Sequence, residues 1–237
     1  MKKMSGLVLA VIVCVCGLGC YAADAPEKGL IAYWSFDEGS GNVAKDTSGK
    51  GHNGKIYGAK YEKGKMGYCL SFDGVDNFVS VPDFADAPCT EITILVWQKV
   101  DEPRQQSTLS NFPDDYTDRI NFHIPWSDET VYWDFGNITT AGRLSYIPAQ
   151  PIIGTWQHFA FVASESEDYM KIYRNGVEEA SKDGMTPYSG TLRGIYIGNL
   201  DGANFFSGKI DEIKIYNRAL SGKEIKAQYD IGAKAPK

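Results

Sequence analysis

Short apolar runs bounded by Gly, Pro, Asp or Asn recur along most of this 237-residue chain, and the last of them alternates with side-chain period two. They fall at 30–36, 55–57, 69–72, 78–81, 92–100, 108–111, 119–124, 130–135, 143–147, 156–164, 169–174, 195–197 and 209–216, a rhythm that predicts β-strands. Asn175-Gly176, set between KIYR and VEEA, predicts a hairpin with a type I′ turn, because both central residues must take positive φ. In the last run Ile210, Glu212, Lys214 and Tyr216 are expected on one face, and Asp211, Ile213 and Ile215 on the other. Ser221-Gly222-Lys223-Glu224 then reads as a capping box, and Ile225 and Tyr229 predict a short helix with one docked face. Many short strands and one terminal helix make the chain all-β, an antiparallel sandwich or jelly roll. Residues 232–237 are expected to be a disordered tail.

The first 23 residues do not belong to that pattern. Lys2 and Lys3 precede an apolar run, Leu7 to Val15, that is too short to span a bilayer, and small residues follow. This predicts a secretory signal peptide over 1–23. Gly17-Leu18-Gly19-Cys20 also resembles a bacterial lipobox, which would place a lipid anchor on Cys20 and leaves two modes of export open. No other stretch is apolar for long enough to cross a membrane.

The formal charge is −6, and it becomes −8 once Lys2 and Lys3 leave with a leader that holds no acid. Without a Lys/Arg cluster to neutralise phosphates, nucleic acid is not an expected partner. Of five cysteines, Cys69 and Cys89 lie beyond the leader. An even pair in an exported chain predicts a disulfide, worth about 3 kcal/mol for a loop of this length, against the alternative of two buried thiols.

From Asp37 to Gly54 the chain is polar and Gly-rich, with little to bury. A loop of that length needs something to hold it. A bound cation is one answer, with oxygens from Asp37, Asp46 and Asn53; an Asx-turn at Asp46 is another. Asp211 poses a related problem, since a carboxylate among isoleucines is costly unless it is paired.

Seven ordered segments carry a family resemblance: AYWSFDEGSG at 32–41, DTSGKGHNG at 46–54, LSFDGVDNFVSVP at 70–82, ITILVWQKV at 92–100, TWQHFAFV at 155–162, KIYRNGVEEA at 171–180 and the closing GKIDEIKIYNRALSGKEI. Over residues 29–231 the chain resembles the LamG-like jelly-roll domains, within the concanavalin A-like lectins and glucanases. The resemblance implies a two-sheet antiparallel jelly roll with a short C-terminal helix. It also implies a structural calcium tying the first strand region to the last strand, with Asp211 as a ligand and Asp37 and Asn53 completing the set. The alternative for Asp211 is to accept backbone amides or to pair with Lys209.

Function follows less directly, because this fold carries lectins, hydrolases and adhesion modules alike. Hydrolases that share it place two acids on one strand, as in ExDxxE, and no such pattern occurs here. Asp128, Glu129 and Asp134 flank the TVYWDF strand instead, and no GxSxG elbow is present. His158 lies in a strand motif and is expected to pack. The segment 122–135, FHIPWSDETVYWDF, is dense in rings. Sugar C–H faces stack on aromatics while their hydroxyls need polar partners, so Trp126, Tyr132 and Asp128 are the candidate carbohydrate-binding residues. The expectation is a non-catalytic module whose partner is a glycan or cell-surface polysaccharide; the alternatives are a protein-interaction or structural surface domain and a glycoside hydrolase with a non-standard acid/base pair.

Overall fold

The computed structural model describes residues 27–82, 84, 90–111, 118–185, 188 and 192–235. The expected signal peptide, Cys20 and Cys89 lie outside the described residues. In chain order the strands are β1 (Leu30–Trp34), β2 (Val43–Ala44), β3 (Gly54–Tyr57), β4 (Lys60–Lys63), β5 (Tyr68–Asp73), β6 (Phe78–Val81), β7 (Glu91–Val100) and β8 (Leu109–Asn111). They continue with β9 (Arg119–His123), β10 (Val131–Gly136), β11 (Arg143–Tyr146), β12 (Gln157–Ser164), β13 (Tyr169–Arg174), β14 (Val177–Asp183), β15 (Ile195–Ile197) and β16 (Ser207–Tyr216). The helix α1 spans Gly222–Ala233.

These strands form two antiparallel sheets, the two-sheet jelly roll expected. One runs β14-β13-β12-β7-β16-β5-β4 with β1 also on β16, and the other β11-β10-β9-β8-β15-β6-β3-β2. Alternate residues of each sheet meet in one core. Ile94 and Val96 of β7 and Phe159 and Phe161 of β12 face Ile120 and Phe122 of β9 and Trp133 of β10. Phe122 stacks on Phe161 across the gap, with ring centroids 4.4 Å apart. On the far side of the first sheet, Leu95, Ala160, Val162 and Tyr173 pack beneath Leu220 and Ile225 of the α1 segment. Strands β7 and β12 are therefore buried on both faces, which is why ITILVW and FAFVA read as nearly unbroken apolar runs.

The local signals hold where they are backbone-driven. Asn175 and Gly176 take φ of +51° and +79°, and Arg174 pairs with Val177 around them. The Ser221 hydroxyl accepts the Glu224 amide while Glu224 accepts the Ser221 amide, which closes the capping box.

Three expectations are corrected. Along β16, Asp211 pairs with Trp97 and Lys214 with Leu95, so three steps on β16 oppose two on β7. Glu212, at φ +53°, is the extra residue, and this bulge brings Ile210, Ile213 and Ile215 all into the core. The expected tail begins inside the helix: Gly232 and Ala233 are its last residues, and Lys234 is its C-cap. Gly232 is buried because α1 docks there against Trp97. Finally, Cys69 is a free, buried thiol rather than half of a disulfide. Its Sγ faces the Lys63 carbonyl at 3.4 Å inside the β4–β5 hairpin, and burial pushes the thiol up to about 12.

Candidate functional site

The bulge of β16 places two acids at the seam where the chain's beginning meets its last strand. Asp211 is fully buried; its Oδ2 accepts the amides of Lys65 at 2.8 Å and Met66 at 3.0 Å. Its Oδ1 is buried with no hydrogen-bond partner. Burial, with Glu212 and Asp37 nearby, pushes this carboxyl up to about 8. Asp37 reaches the same turn from the other side, its Oδ1 accepting the Tyr68 amide at 2.9 Å. The turn is shaped for them, since a Cβ at Gly64 would sit 2.6 Å from Asp211 Oδ2 and 2.8 Å from the Met66 carbonyl, and one at Gly67 would overlap Asp37.

Asp211 thus meets Asp37 across one turn, while Lys209 pairs with Glu62 at 2.6 Å instead. The Asn53 Oδ1 accepts the Asp46 amide at 2.9 Å. Asp46 is the residue that organises the Gly-rich loop: its carboxylate accepts the amides of Tyr33, Ser48 and His52. Among the described residues no cluster of three or more His, Cys, Asp or Glu side chains is arranged to hold a metal. Asp211, Asp37 and backbone carbonyls such as that of Met66 are the oxygens this seam offers.

The Trp126 turn gathers the sequence-favoured trio. Trp126 is half-buried between β9 and β10, its ring 4.4 Å from that of His123 and close to edge-on. Asp128 accepts the Tyr132 hydroxyl at 2.8 Å and the Thr130 amide at 3.0 Å. Tyr132 and Trp133 point to opposite faces, Trp133 into the core. The Arg143 guanidinium lies over the Tyr132 ring, 4.9 Å from its centroid, and leaves it one face fewer for stacking. Asp134 is buried and held bidentate by Arg143 at 2.6 and 2.8 Å, so it is a structural acid rather than a free one.

A larger feature lies where α1 meets the first sheet. A cleft of about 570 Å³ is lined by Trp97, Trp156 and Tyr229, with Lys65 and Lys99 beside them. Trp97 stacks on Tyr229 at 5.7 Å, and the Lys65 ammonium sits 5.1 Å above the Trp97 ring. His158 lies behind them, fully buried, 5.3 Å from Trp97; burial pushes it down to about 3. The packing role expected for His158 is therefore its position under this wall. Sequence reasoning missed the cleft because its rings come from β7, the loop before β12 and α1. Its lining offers hydroxyls, an amide, ammonium groups and rings, and among the described residues it includes no carboxylate.

A family model described as the concanavalin A-like lectin/glucanases superfamily matches residues 73–226. The chain belongs to that superfamily. Among solved structures, this concanavalin A-like chain is similar to domain 4 of AbnA, an extracellular GH43 arabinanase from Geobacillus stearothermophilus, in complex with arabinotriose. They are 23% identical, with a TM-score of 0.70 over 85% of this chain and 98% of that one. The binding domain of botulinum neurotoxin serotype D is 14% identical, with a TM-score of 0.66 over 85% of this chain and 51% of the toxin chain. The binding domain of Paraclostridial Mosquitocidal Protein 1 is 17% identical, with a TM-score of 0.65 over 86% and 52%. At these identities the likeness is one of fold. No curated protein matches the sequence. Among the described residues no helix is long and apolar enough to cross a membrane.

Proposed function

We propose that this chain is an exported module that binds carbohydrate without cleaving it. The observation that carries the reading is the cleft walled by Trp97, Trp156 and Tyr229, whose size and mixture of flat rings and polar donors suit a short saccharide. The arabinotriose bound to the AbnA domain of the same fold supports it. Trp126, half-buried and backed by His123, offers a second and smaller platform. The non-catalytic reading is supported by Asp134 being spent on Arg143 and by the carboxylate-free lining of the cleft. The leader-like 1–23 segment supports a place outside the cytoplasm, secreted or anchored through Cys20.

The same reading includes a calcium ion at the seam. The buried, unpartnered Asp211 Oδ1 supports it, because such an oxygen is costly unless a cation or proton meets it. Asp211 and Asp37 would hold the ion with backbone carbonyls. Asn53, engaged with Asp46, leaves the expected set.

Affinity electrophoresis and a glycan array test the function. The Trp156→Ala variant should bind about tenfold more weakly or worse, while Trp126→Ala should lose less. Failure of the wild-type protein across plant, algal and host glycans would replace this reading with a protein-binding surface domain.

A further inference from the structure

Among the described residues, the lining of the cleft beside α1 includes two lysines and no carboxylate. Trp97 and Lys99 stand two residues apart on β7 and so share a face, while Lys65 rises over the Trp97 ring from the 64–68 turn. Several acids near them have partners of their own. Glu62 pairs with Lys209 at 2.6 Å, Asp230 pairs with Lys226 at 2.5 Å, and Asp211 accepts the amides beneath Lys65. Among the described residues, neither Lys65 nor Lys99 has an ion-pair partner.

Two neutral polar side chains of the lining are engaged as well. The Asn175 side chain accepts the His158 amide and donates to Gln157 Oε1, and the Thr155 hydroxyl accepts from Gln157 Nε2. The charge that the cleft offers is that of two ammonium groups beside aromatic rings. It offers this in a chain of net charge −6, whose overall field gives anions no general attraction.

We propose that this cleft takes an acidic saccharide, its ring stacked on Trp156 and its carboxylate or sulfate group paired with Lys65 and Lys99. This rests on the carbohydrate reading above and narrows it to one substrate class. Ammonium groups act as point charges that suit either anion, so the shared negative charge is the recognised feature.

Titration calorimetry of the purified protein tests it with three probes: oligogalacturonate, dextran sulfate and neutral arabinan. Either acidic probe should bind more tightly than arabinan, by about tenfold at low salt, and lose most of that margin at 0.5 M sodium chloride. The two acidic probes distinguish carboxylate from sulfate. Lys65→Gln and Lys99→Gln should erase the margin while melting like the wild type, since both lysines are half-exposed. Trp156→Ala should lose binding to the acidic probe too, which simple attraction of a polyanion would not. Equal or tighter binding of arabinan overturns the acidic class and leaves carbohydrate binding standing, whereas no binding of any probe overturns both. Full binding of the acidic probe by Trp156→Ala overturns the proposed site.

Discussion

The Tyr33 hydroxyl donates to Glu212 Oε2 at 2.6 Å and so joins the first strand to the bulge of the last. Glu212 is buried and Tyr33 half-buried, and burial pushes both upward from their ordinary ranges, with each also acting on the other. The bond fixes a backbone feature: Glu212 holds φ +53°, a conformation that persists when its surroundings secure it.

Tyr33→Phe should therefore destabilise the fold by about 1–3 kcal/mol, the cost of leaving a buried acceptor without its donor. Glu212→Gln keeps an acceptor and removes the charge, so it should cost less. Urea unfolding of the two variants checks the order. A Tyr33→Phe protein as stable as wild type would mean that water reaches Glu212.

Calcium should raise the melting temperature, and a chelator should lower it. At a concentration about 100 times the dissociation constant, binding contributes about 2.7 kcal/mol. Asp211→Asn should abolish the response, and Asp37→Asn should weaken it. Identical melting curves with and without chelator would remove the ion from this seam and leave Asp211 protonated against the 64–68 turn.

Two histidines should resist acid. Burial pushes His123 down to about 4 and His158 to about 3, so both are neutral in the fold at pH 6 and charge readily when unfolded. For groups lowered in this way, stability is complete above about pH 6.5 and falls as pH drops towards 4 and 3, by about 1.4 kcal/mol per pH unit for each. Asp211, raised instead, has the opposite sign: without a cation its contribution falls as pH climbs from about 4 to about 8. An NMR titration separates them. The imidazole signals of His123 and His158 should stay neutral at pH 5, and protonation near 6.5 would refute their burial.

Gly232→Ala should loosen the helix that walls the cleft. A Cβ there would lie 2.5 Å from Trp97 Nε1 and 2.7 Å from its Cε2, against a rigid ring. The cost should be about 1–3 kcal/mol, with weaker saccharide binding because Tyr229 shifts with α1. Wild-type stability and binding in this variant would show that the helix end is not held there.

Much of the architecture could be read directly, because its causes are local. The short apolar runs became strands, Asn175-Gly176 became the tight hairpin, and Ser221 with Glu224 capped the helix. Asp46 closed its loop as an Asx-type hub. Each of these depends on residues a few positions apart, whose steric and hydrogen-bonding preferences act before any distant contact forms.

The candidate site lay mostly beyond that reach. The Asp128–Tyr132 contact was legible, being four residues apart in one turn, and Asp211 announced itself as an acid among isoleucines. The extra residue at Glu212, the free state of Cys69 and the docking of Gly232 on Trp97 were not legible. Each arises from pairing register or from surfaces brought together across 100 residues or more of chain, or across a hairpin whose facing is set by its neighbours. The cleft is the plainest case. Trp97, Trp156 and Tyr229 are ordinary ring positions along the chain, and they share one wall because a twisted sheet must cover its outer apolar face and this chain covers it with its last helix.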